Sequence, residues 1–324
     1  MLSKQEWRKA VVHAVSMPTE DVRMVTFAVD GLTGAYDPGS HTHIRVRING
    51  APAVRTYTVI PSVLGTLAIA VKLHPNSRGG SAFVWTLKPG DRIEMTMPEN
   101  RFELSWRASR YLLVAGGIGV TPIYGMARTL VDRGRPLRMI YGARSRAQMA
   151  FVTDLEDCLG ANLQTFEQDK GEAFDLDAEI AALPEDGEAY VCGPLGLLEA
   201  MRAAWRRSGR KVSRLRYEVF GDSGRFAEQP FQVDITGVDR RVTVQSDQTM
   251  LDALIEAGVD MIYDCRRGEC GLCAVSVVNG TGEIDHRDVF FSESERGEAK
   301  RMCPCVSRVC GGEITIDTGY RGQC

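Results

Sequence analysis

The spacing of apolar residues divides the chain into three stretches, and the first predicts strands. Residues 43–48 alternate between aliphatic and basic side chains, and residues 67–73 place a large aliphatic side chain at every second position. Turn-forming runs at 37–39 and 88–91 separate such segments. A period of two predicts half-buried strands, and their even spacing predicts an antiparallel barrel or sandwich over residues 1–105.

The middle stretch, residues 106–224, alternates between strands and helices. Three compact apolar runs predict buried strands, and two longer segments have helical spacing; they are residues 111–115, 137–141 and 189–192, and residues 121–132 and 195–207. Strands that alternate with helices predict a parallel α/β sheet.

The last stretch begins with a linker and continues as a small domain. Residues 221–230 are rich in glycine and polar side chains, which is typical of a linker. Residues 231–235 and 241–245 predict a hairpin, and residues 250–258 a short amphipathic helix that ends at glycine. We therefore predict three domains with boundaries at 105/106 and 224/225.

Composition and charge exclude several classes of protein. The 324 residues are 44% hydrophobic and 25% charged, which excludes disordered, collagenous and coiled-coil chains. The net charge of −3 divides into +3, 0 and −6 over the three stretches and argues against a nucleic-acid partner. The longest apolar run, residues 111–120, is about half a membrane span, and the N-terminus does not resemble a signal peptide. We expect a cytoplasmic protein without a membrane partner.

Seven of the nine cysteines crowd into the last sixty residues, and three have a specific spacing. Cys265, Cys270 and Cys273 form C-x4-C-x2-C, the plant-type [2Fe–2S] pattern, which needs a distant fourth cysteine. That ligand is Cys303 or Cys305; we favour Cys305, because residues 305–308 (Cys-Val-Ser-Arg) resemble the closing motif of this ferredoxin type. The alternatives are a zinc site or free thiols, but zinc sites usually pair C-x2-C units.

A glycine-rich turn joins the first predicted strand of the middle stretch to its helix. It is built from Gly116, Gly117, Ile118, Gly119, Thr121 and Pro122. Such a turn allows the backbone to approach a phosphate at a helix N-terminus. The motif lacks the third glycine of the dinucleotide fingerprint, so tight strand–helix packing remains an alternative.

The order of several motifs identifies a family resemblance. Residues 55–58, 79–81, 116–122, 192–194 and 220–221 occur in the order typical of the ferredoxin–NADP reductase superfamily. With a C-terminal plant-type ferredoxin, nearly the whole chain resembles the phthalate dioxygenase reductase family, which includes vanillate demethylase reductases. The implied fold is an antiparallel FMN-binding β-barrel, a parallel α/β nucleotide-binding domain and a β-grasp-like [2Fe–2S] domain.

The resemblance also implies a flavin site. Arg55 would bind the phosphate, for which its planar fork is suited, and Tyr57 would lie near the flavin ring. The other members of this predicted site are Thr56, Thr58, Val71, Lys72, Gly79, Gly80 and Ser81. The family uses FMN where many relatives use FAD, so FMN is expected.

The nucleotide site follows from the same resemblance. The glycine turn and Cys192, Gly193 and Pro194 would bind the nicotinamide nucleotide, and Phe220 would cover the flavin until nicotinamide displaces it. Cys192 and Phe220 are equally compatible with plain core positions. NADH is expected, although residues 144–146 (Arg-Ser-Arg) could hold the 2′-phosphate of NADPH; a solvated charged turn is the alternative.

The implied function is electron transfer from NADH through FMN and the cluster to a terminal oxygenase, expected to be of the Rieske type. Because the cofactors supply the chemistry, no catalytic acid, base or nucleophile is expected. The alternatives are a reductase for a cytochrome P450 or another acceptor, and a redox sensor without catalysis. A monomer is expected.

Three further signals are interpreted without a function. His41 and His43 share a strand face, but no third metal ligand is near them in the sequence. Residues 221–224 (Gly-Asp-Ser-Gly) resemble a serine-protease motif by coincidence. Cys310 and Cys324 are interpreted as plain thiols, and Cys158 is assigned no role.

Overall fold

The chain forms two compact units, Met1–Glu218 and Val219–Cys324. The computed structural model describes residues 6–32, 34, 36–48, 50–63, 65–73, 79–220, 226, 229–237 and 240–319. Most of the predicted linker, the Gly-Asp-Ser-Gly run and Cys324 lie outside the described residues. The proposed boundaries at 105/106 and 224/225 stay a prediction.

The first sheet is antiparallel and closes on itself. Its strands are β1 (Trp7–Thr19), β2 (Val22–Val29), β3 (Ser40–Ile48), β4 (Ala51–Ile60), β5 (Thr66–Lys72), β6 (Arg92–Thr96) and β7 (Glu99–Asn100), with helix α1 (Gly80–Thr86) between β5 and β6. The strand order is β4-β5-β2-β1-β6-β3-β7, and β4 also pairs with β3. This additional pairing makes a six-stranded barrel, with β7 attached to β3.

The alternation in β3 is confirmed, whereas that in β5 is only partly correct. Ile44 and Val46 are buried in the barrel core, and Arg45 and Arg47 face solvent. In β5, by contrast, the residues between Leu67 and Val71 are buried on both faces, and Leu73 is 38% exposed. The second face is buried because α1 and the turn Gly117–Gly119 both pack against β5.

The second sheet is the predicted α/β layer. Its elements are β8 (Tyr111–Gly116), α2 (Val120–Asp132), β9 (Leu137–Ala143), α3 (Val152–Leu159), β10 (Leu163–Glu167), α4 (Leu176–Ala181), β11 (Glu188–Gly193), α5 (Leu195–Arg207) and β12 (Leu215–Val219). The order is β10-β9-β8-β11-β12, with β10, β9, β8 and β11 parallel. The chain runs from β8 outward to β9 and β10 and then returns to β11 on the opposite side of β8. A crevice is therefore expected at the carboxyl ends of β8 and β11, where the strand order reverses.

The second unit is a mixed sheet covered by a helix. Its elements are β13 (Phe231–Ile235), β14 (Arg241–Val244), α6 (Met250–Glu256), β15 (Val275–Gly280), β16 (Glu283–Asp285), α7 (Glu293–Glu298), β17 (Arg301–Met302), β18 (Arg308–Cys310) and β19 (Glu313–Asp317). The main sheet has the order β14-β13-β19-β15-β17, and β16 pairs with β18. The β13–β14 hairpin is confirmed, and β13 is parallel to β19. Met250 and Leu254 of α6 pack into the core of this sheet, as in a β-grasp fold.

None of the helices within the described ranges has the length and apolar character needed to cross a membrane.

Candidate functional site

Arg55 and the two glycines of the predicted phosphate site meet in the barrel. Gly80 begins α1, and a Cβ on it would lie 2.8 Å from Arg55 Cγ. Gly79 has φ +80°, and a Cβ there would lie 2.6 Å from Cγ2 of Ile48. Only glycine combines this backbone conformation with this close approach. The stem of Arg55 therefore lies directly over the start of α1.

These groups form a cradle that suits an anion. The half-buried Arg55 donates from Nη1 to the Val54 carbonyl over 3.0 Å, which orients the guanidinium. The first backbone amides of α1, those of Gly80 and Ser81, have no acceptor within the helix. An arginine fork beside helix amides is a common way to bind phosphate.

Thr58 places a buried hydroxyl in the predicted flavin site. Its side chain is 6% exposed, and its hydroxyl has no hydrogen-bond partner among the described residues. Because a buried hydroxyl without a partner costs stability, a polar ligand atom at this position is expected. Tyr57 is half-buried and packs against the barrel core. The polar groups of the Arg55–Thr58 motif thus fit a bound flavin.

The remaining predicted flavin residues have structural contacts. Thr56 bonds through its hydroxyl to His43 Nδ1 at 2.8 Å. Val71 is buried, and its carbonyl accepts a hydrogen bond from Trp85 Nε1 at 3.0 Å. Lys72 pairs with Asp21 at 2.9 Å, so its charge is already balanced. These contacts are all within the first unit, and the place of Thr56, Val71 and Lys72 in the flavin site stays a prediction.

The glycine turn packs against the end of β11. A Cβ on Gly119 would lie 2.3 Å from the Cys192 carbonyl oxygen, and a Cβ on Gly116 would lie 2.7 Å from Pro194 Cδ. A Cβ on Gly193 would lie 3.0 Å from Gly116. Gly116 and Gly119 are therefore required for tight packing. The same packing brings together the two predicted nucleotide motifs, residues 116–122 and 192–194, which are far apart in sequence.

Gly117 is the member of the turn that faces open space. It has φ +54°, and a Cβ on it would have no atom within 4 Å. Thr121 is buried and donates its hydroxyl to the Ile118 carbonyl at 3.0 Å, and Pro122 lies in the first turn of α2. The Gly117 backbone is thus open to a phosphate at the N-terminus of α2.

In the candidate 2′-phosphate segment, residues 144–146, Arg146 has acidic partners. Arg146 pairs with both carboxylate oxygens of Glu156, at 2.9 and 2.7 Å. Its backbone amide donates to Glu167 over 2.9 Å. The hydrogen bond from Arg146 lowers the pKa of Glu156, so this carboxylate stays ionised. A neutralised arginine beside acidic groups favours a nucleotide without the additional phosphate.

Phe220 lies just after β12, in the second unit. The amide of the preceding residue, Val219, donates to Glu269 Oε1 at 3.2 Å within that unit. The role of Phe220 at the flavin stays a prediction.

The loop between Cys265 and Cys273 requires glycine at two points. Gly268 and Gly271 have φ +73° and +69°. A Cβ on Gly268 would lie 2.5 Å from Val306 Cγ2, and a Cβ on Gly271 would lie 2.3 Å from the Phe290 ring. The loop is therefore wrapped tightly against the segment that contains the closing cysteines.

Backbone amides of this loop point at sulfur. The Arg267 amide donates to Cys265 Sγ at 3.4 Å, and the Gly268 amide donates to Cys305. Burial raises the pKa of the Cys265 thiol, and hydrogen bonds from the amides of Arg267, Cys270 and Glu269 act in the opposite direction. Buried thiols that receive amide hydrogen bonds are typical of iron–sulfur ligands. The donor set therefore fits a [2Fe–2S] cluster.

Both closing candidates approach Cys273. Hydrogen bonds from Cys303 and Cys305 lower the pKa of the Cys273 thiol. Cys305 is 3% exposed and interacts with Cys265 as well as with the Gly268 amide. Cys305 thus contacts the loop at the Gly268 amide as well as at Cys273, which favours it over Cys303 as the fourth ligand.

The structure adds a third residue to the histidine pair. His41, His43 and Glu99 place ligand atoms within 4.8 Å of one another, and His41 is the register partner of Glu99. Glu99 also pairs with Arg101 at 3.1 Å. Sequence reasoning missed this proximity because Glu99 reaches the pair only through the β3–β7 pairing.

Comparison with known proteins gives the same three parts in the same order. Residues 9–104 match an oxidoreductase FAD-binding domain model, residues 113–203 an oxidoreductase NAD-binding domain, and residues 233–310 a 2Fe-2S iron-sulfur cluster binding domain. Each match lies inside one of the three predicted domains.

Similar proteins span nearly the whole chain. It is 33% identical to the phenoxybenzoate dioxygenase subunit beta of Ectopseudomonas oleovorans, over 94% of this chain and 96% of that protein. It is 32% identical to the vanillate O-demethylase oxidoreductase of a Pseudomonas species, over 95% and 99%.

Two solved structures show the same arrangement of elements. Phthalate dioxygenase reductase superposes with a TM-score of 0.78 at 27% identity, over 96% of this chain and 98% of that chain. An intact self-sufficient cytochrome P450 monooxygenase superposes with a TM-score of 0.65 at 32% identity, and this chain spans 41% of its length. The chain belongs to the phthalate dioxygenase reductase family of NADH-dependent flavin iron–sulfur oxidoreductases.

Proposed function

We propose that the chain is the reductase component of a two-component oxygenase system with a Rieske-type terminal oxygenase. The observation that supports this most directly is that one chain combines the Arg55 cradle, a glycine turn packed against the end of β11 and the buried cysteine set. Bound flavin and cluster would supply the change from two-electron to one-electron transfer. Plant-type clusters have potentials of about −400 mV and Rieske centres of about −150 to +300 mV, so transfer would run downhill.

The flavin we propose is FMN. The cradle at Arg55, Gly80 and Ser81 offers donors for a single phosphate, which supports the smaller cofactor. The Thr58 hydroxyl would bond a polar edge of the ring, and Tyr57 would pack beside it. Mass spectrometry of flavin released by heat from the purified protein distinguishes FMN from FAD. Release of FAD alone contradicts this part of the proposal.

The nucleotide would bind with its phosphates at Gly117 and α2 and its nicotinamide toward Cys192. We propose NADH as the donor, supported by the Arg146–Glu156 pair. We propose a cytoplasmic location, which the use of NADH and a set of cysteine thiolate ligands supports, because thiols are kept reduced there.

The cluster ligands we propose are Cys265, Cys270, Cys273 and Cys305. Cys305→Ser should abolish the cluster, whereas Cys303→Ser should retain most of it, because Cys305 approaches Cys273 and also accepts a hydrogen bond from the Gly268 amide inside the loop. Iron and sulfide content and the visible spectrum of both variants test this assignment. The opposite pattern would assign the fourth ligand to Cys303.

The experiment on the whole function starts with anaerobic addition of NADH. Rapid bleaching of both flavin and cluster supports a reductase, and binding of iron without any response to NADH supports the redox-sensor alternative. The tagged holoprotein then captures its partner from native lysate, and NADH-dependent turnover is measured with the recovered protein. A partner with a histidine-ligated [2Fe–2S] centre supports the proposal. A haem partner supports the P450 alternative, which the similarity to the self-sufficient cytochrome P450 monooxygenase also favours.

A further inference from the structure

Asp288 is a fully buried carboxylate next to the cysteine loop. It is 0% exposed, and its oxygens are all occupied. Oδ1 accepts from the Phe291 amide at 3.0 Å. Oδ2 accepts from the Ser307 hydroxyl at 3.0 Å and lies 3.3 Å from His286 Nδ1. A buried carboxylate held by this many donors is fixed in position.

The same residue lies where the two cysteine segments meet. A Cβ on Gly268 would lie 2.8 Å from Asp288 Cα. The Gly268 carbonyl accepts from the Val289 amide at 3.0 Å, immediately after Asp288. On the other side, the Ser307 amide donates to the Cys303 carbonyl at 3.0 Å. Asp288 therefore connects the loop of residues 265–273 to the segment that contains Cys303 and Cys305.

The Asp288 side chain carries its charge at neutral pH. Burial opposes ionisation, but hydrogen bonds from His286, the Phe291 amide and Ser307 outweigh it and lower the pKa of Asp288. This charge lies beside the cysteine loop, because the Asp288 backbone packs against Gly268.

We propose that Asp288 is a positioning residue of the cluster site, and that its buried negative charge keeps the reduction potential of the cluster low. This inference rests on the proposed function. Reduction adds one electron to the cluster, and a fixed anion in a poorly screened environment opposes added negative charge. A low potential preserves the driving force for transfer to the partner. Asp288 packs against the ligand loop at Gly268, so it acts through the cluster.

The test compares two variants of the full-length holoprotein that lose the same charge. Asp288→Asn keeps the side-chain shape and an acceptor for the Phe291 amide. Glu298→Gln removes an exposed carboxylate from the same unit, where it pairs with Lys300 at 3.1 Å. In a dye-mediated titration, Asp288→Asn should raise the reduced-to-oxidised ratio at a given potential about tenfold, which is about 59 mV for one electron. Glu298→Gln should leave the potential unchanged.

Iron content distinguishes a variant whose cluster has a changed potential from a variant whose cluster site no longer forms. If Asp288→Asn loses its iron, Asp288→Glu is measured, because it keeps the charge. Retention of the cluster at the native potential in Asp288→Glu supports the proposal. Loss of iron in both variants, or a native potential in Asp288→Asn, overturns it. If the proposed function itself is wrong, the unmodified protein and Glu298→Gln contain no [2Fe–2S] cluster, so the two failures are distinguishable.

Discussion

The turn after β8 and the cysteine loop both depend on glycine, but for different physical reasons. Gly116 and Gly119 have φ −122° and −60°, which any residue can adopt, and a Cβ is excluded only by the neighbouring chain at the end of β11 and the start of α5. Gly268 and Gly271 have positive φ and close neighbours as well. The nucleotide turn therefore requires glycine for space, whereas the cysteine loop requires it for both conformation and space.

The largest expected effect is at Gly268 of the cysteine loop. Gly268→Ala adds a Cβ 2.5 Å from Val306 at φ +73°, so the loop must move away from the closing cysteines. We expect loss of most of the bound iron with the flavin retained, measured by iron content and visible absorption. The control is Gly297→Ala, where a Cβ meets nothing within 4 Å. Normal iron content in Gly268→Ala would show that the loop accepts alanine at this positive φ and has room for its Cβ.

Gly119 tests the nucleotide side of the comparison. Gly119→Ala should push the turn away from β11, because the new Cβ would lie 2.3 Å from the Cys192 carbonyl oxygen. A shift of this kind misplaces the nucleotide and should reduce kcat/KM for NADH about hundredfold. Flavin content should not change. Gly196→Ala, at a helix position with open space, is the matched control. Equal kinetics in the two variants would contradict the spatial explanation.

Arg55 tests whether the Gly79–Gly80 cradle binds the flavin phosphate. Arg55→Ala should weaken flavin binding by about 2 kcal/mol, or about thirtyfold in Kd, the usual value of a charged hydrogen bond. The measurement is fluorescence titration of the apoprotein with FMN. Arg47→Ala removes an exposed arginine of β3, which donates to the Gly50 carbonyl, and should bind FMN normally. Unchanged FMN affinity in Arg55→Ala would show that the flavin phosphate does not bind in this cradle.

The smallest expected effect concerns the choice between NADH and NADPH. Glu156→Gln removes the negative charge from the Arg146 pair, whose members are 41% and 47% exposed. Exposed pairs of this kind are worth less than about 1 kcal/mol, so the NADPH-to-NADH ratio of kcat/KM should rise by about fivefold or less. Glu185→Gln, which changes an exposed glutamate between α4 and β11, is the control. A decrease in the ratio would show that Arg146 does not face the nucleotide.

Much of the fold was predictable because its signals are local. The two-residue period of β3, the apolar run of β8 and the bounds of α5 depend on neighbouring residues, and the structure confirms all three. The prediction for β5 was partly wrong, since α1 and the glycine turn cover a strand face that the sequence pattern leaves open.

By itself, the sequence determined the order of the three parts and the cysteine spacing, because both are properties of short segments. Only the tertiary structure decided which distant groups meet. It placed Arg55 over Gly80, paired Arg146 with Glu156, and brought Asp288 between the two cysteine segments. These contacts join residues on different elements, and their geometry follows from strand pairing and packing, which the linear spacing of residues does not contain.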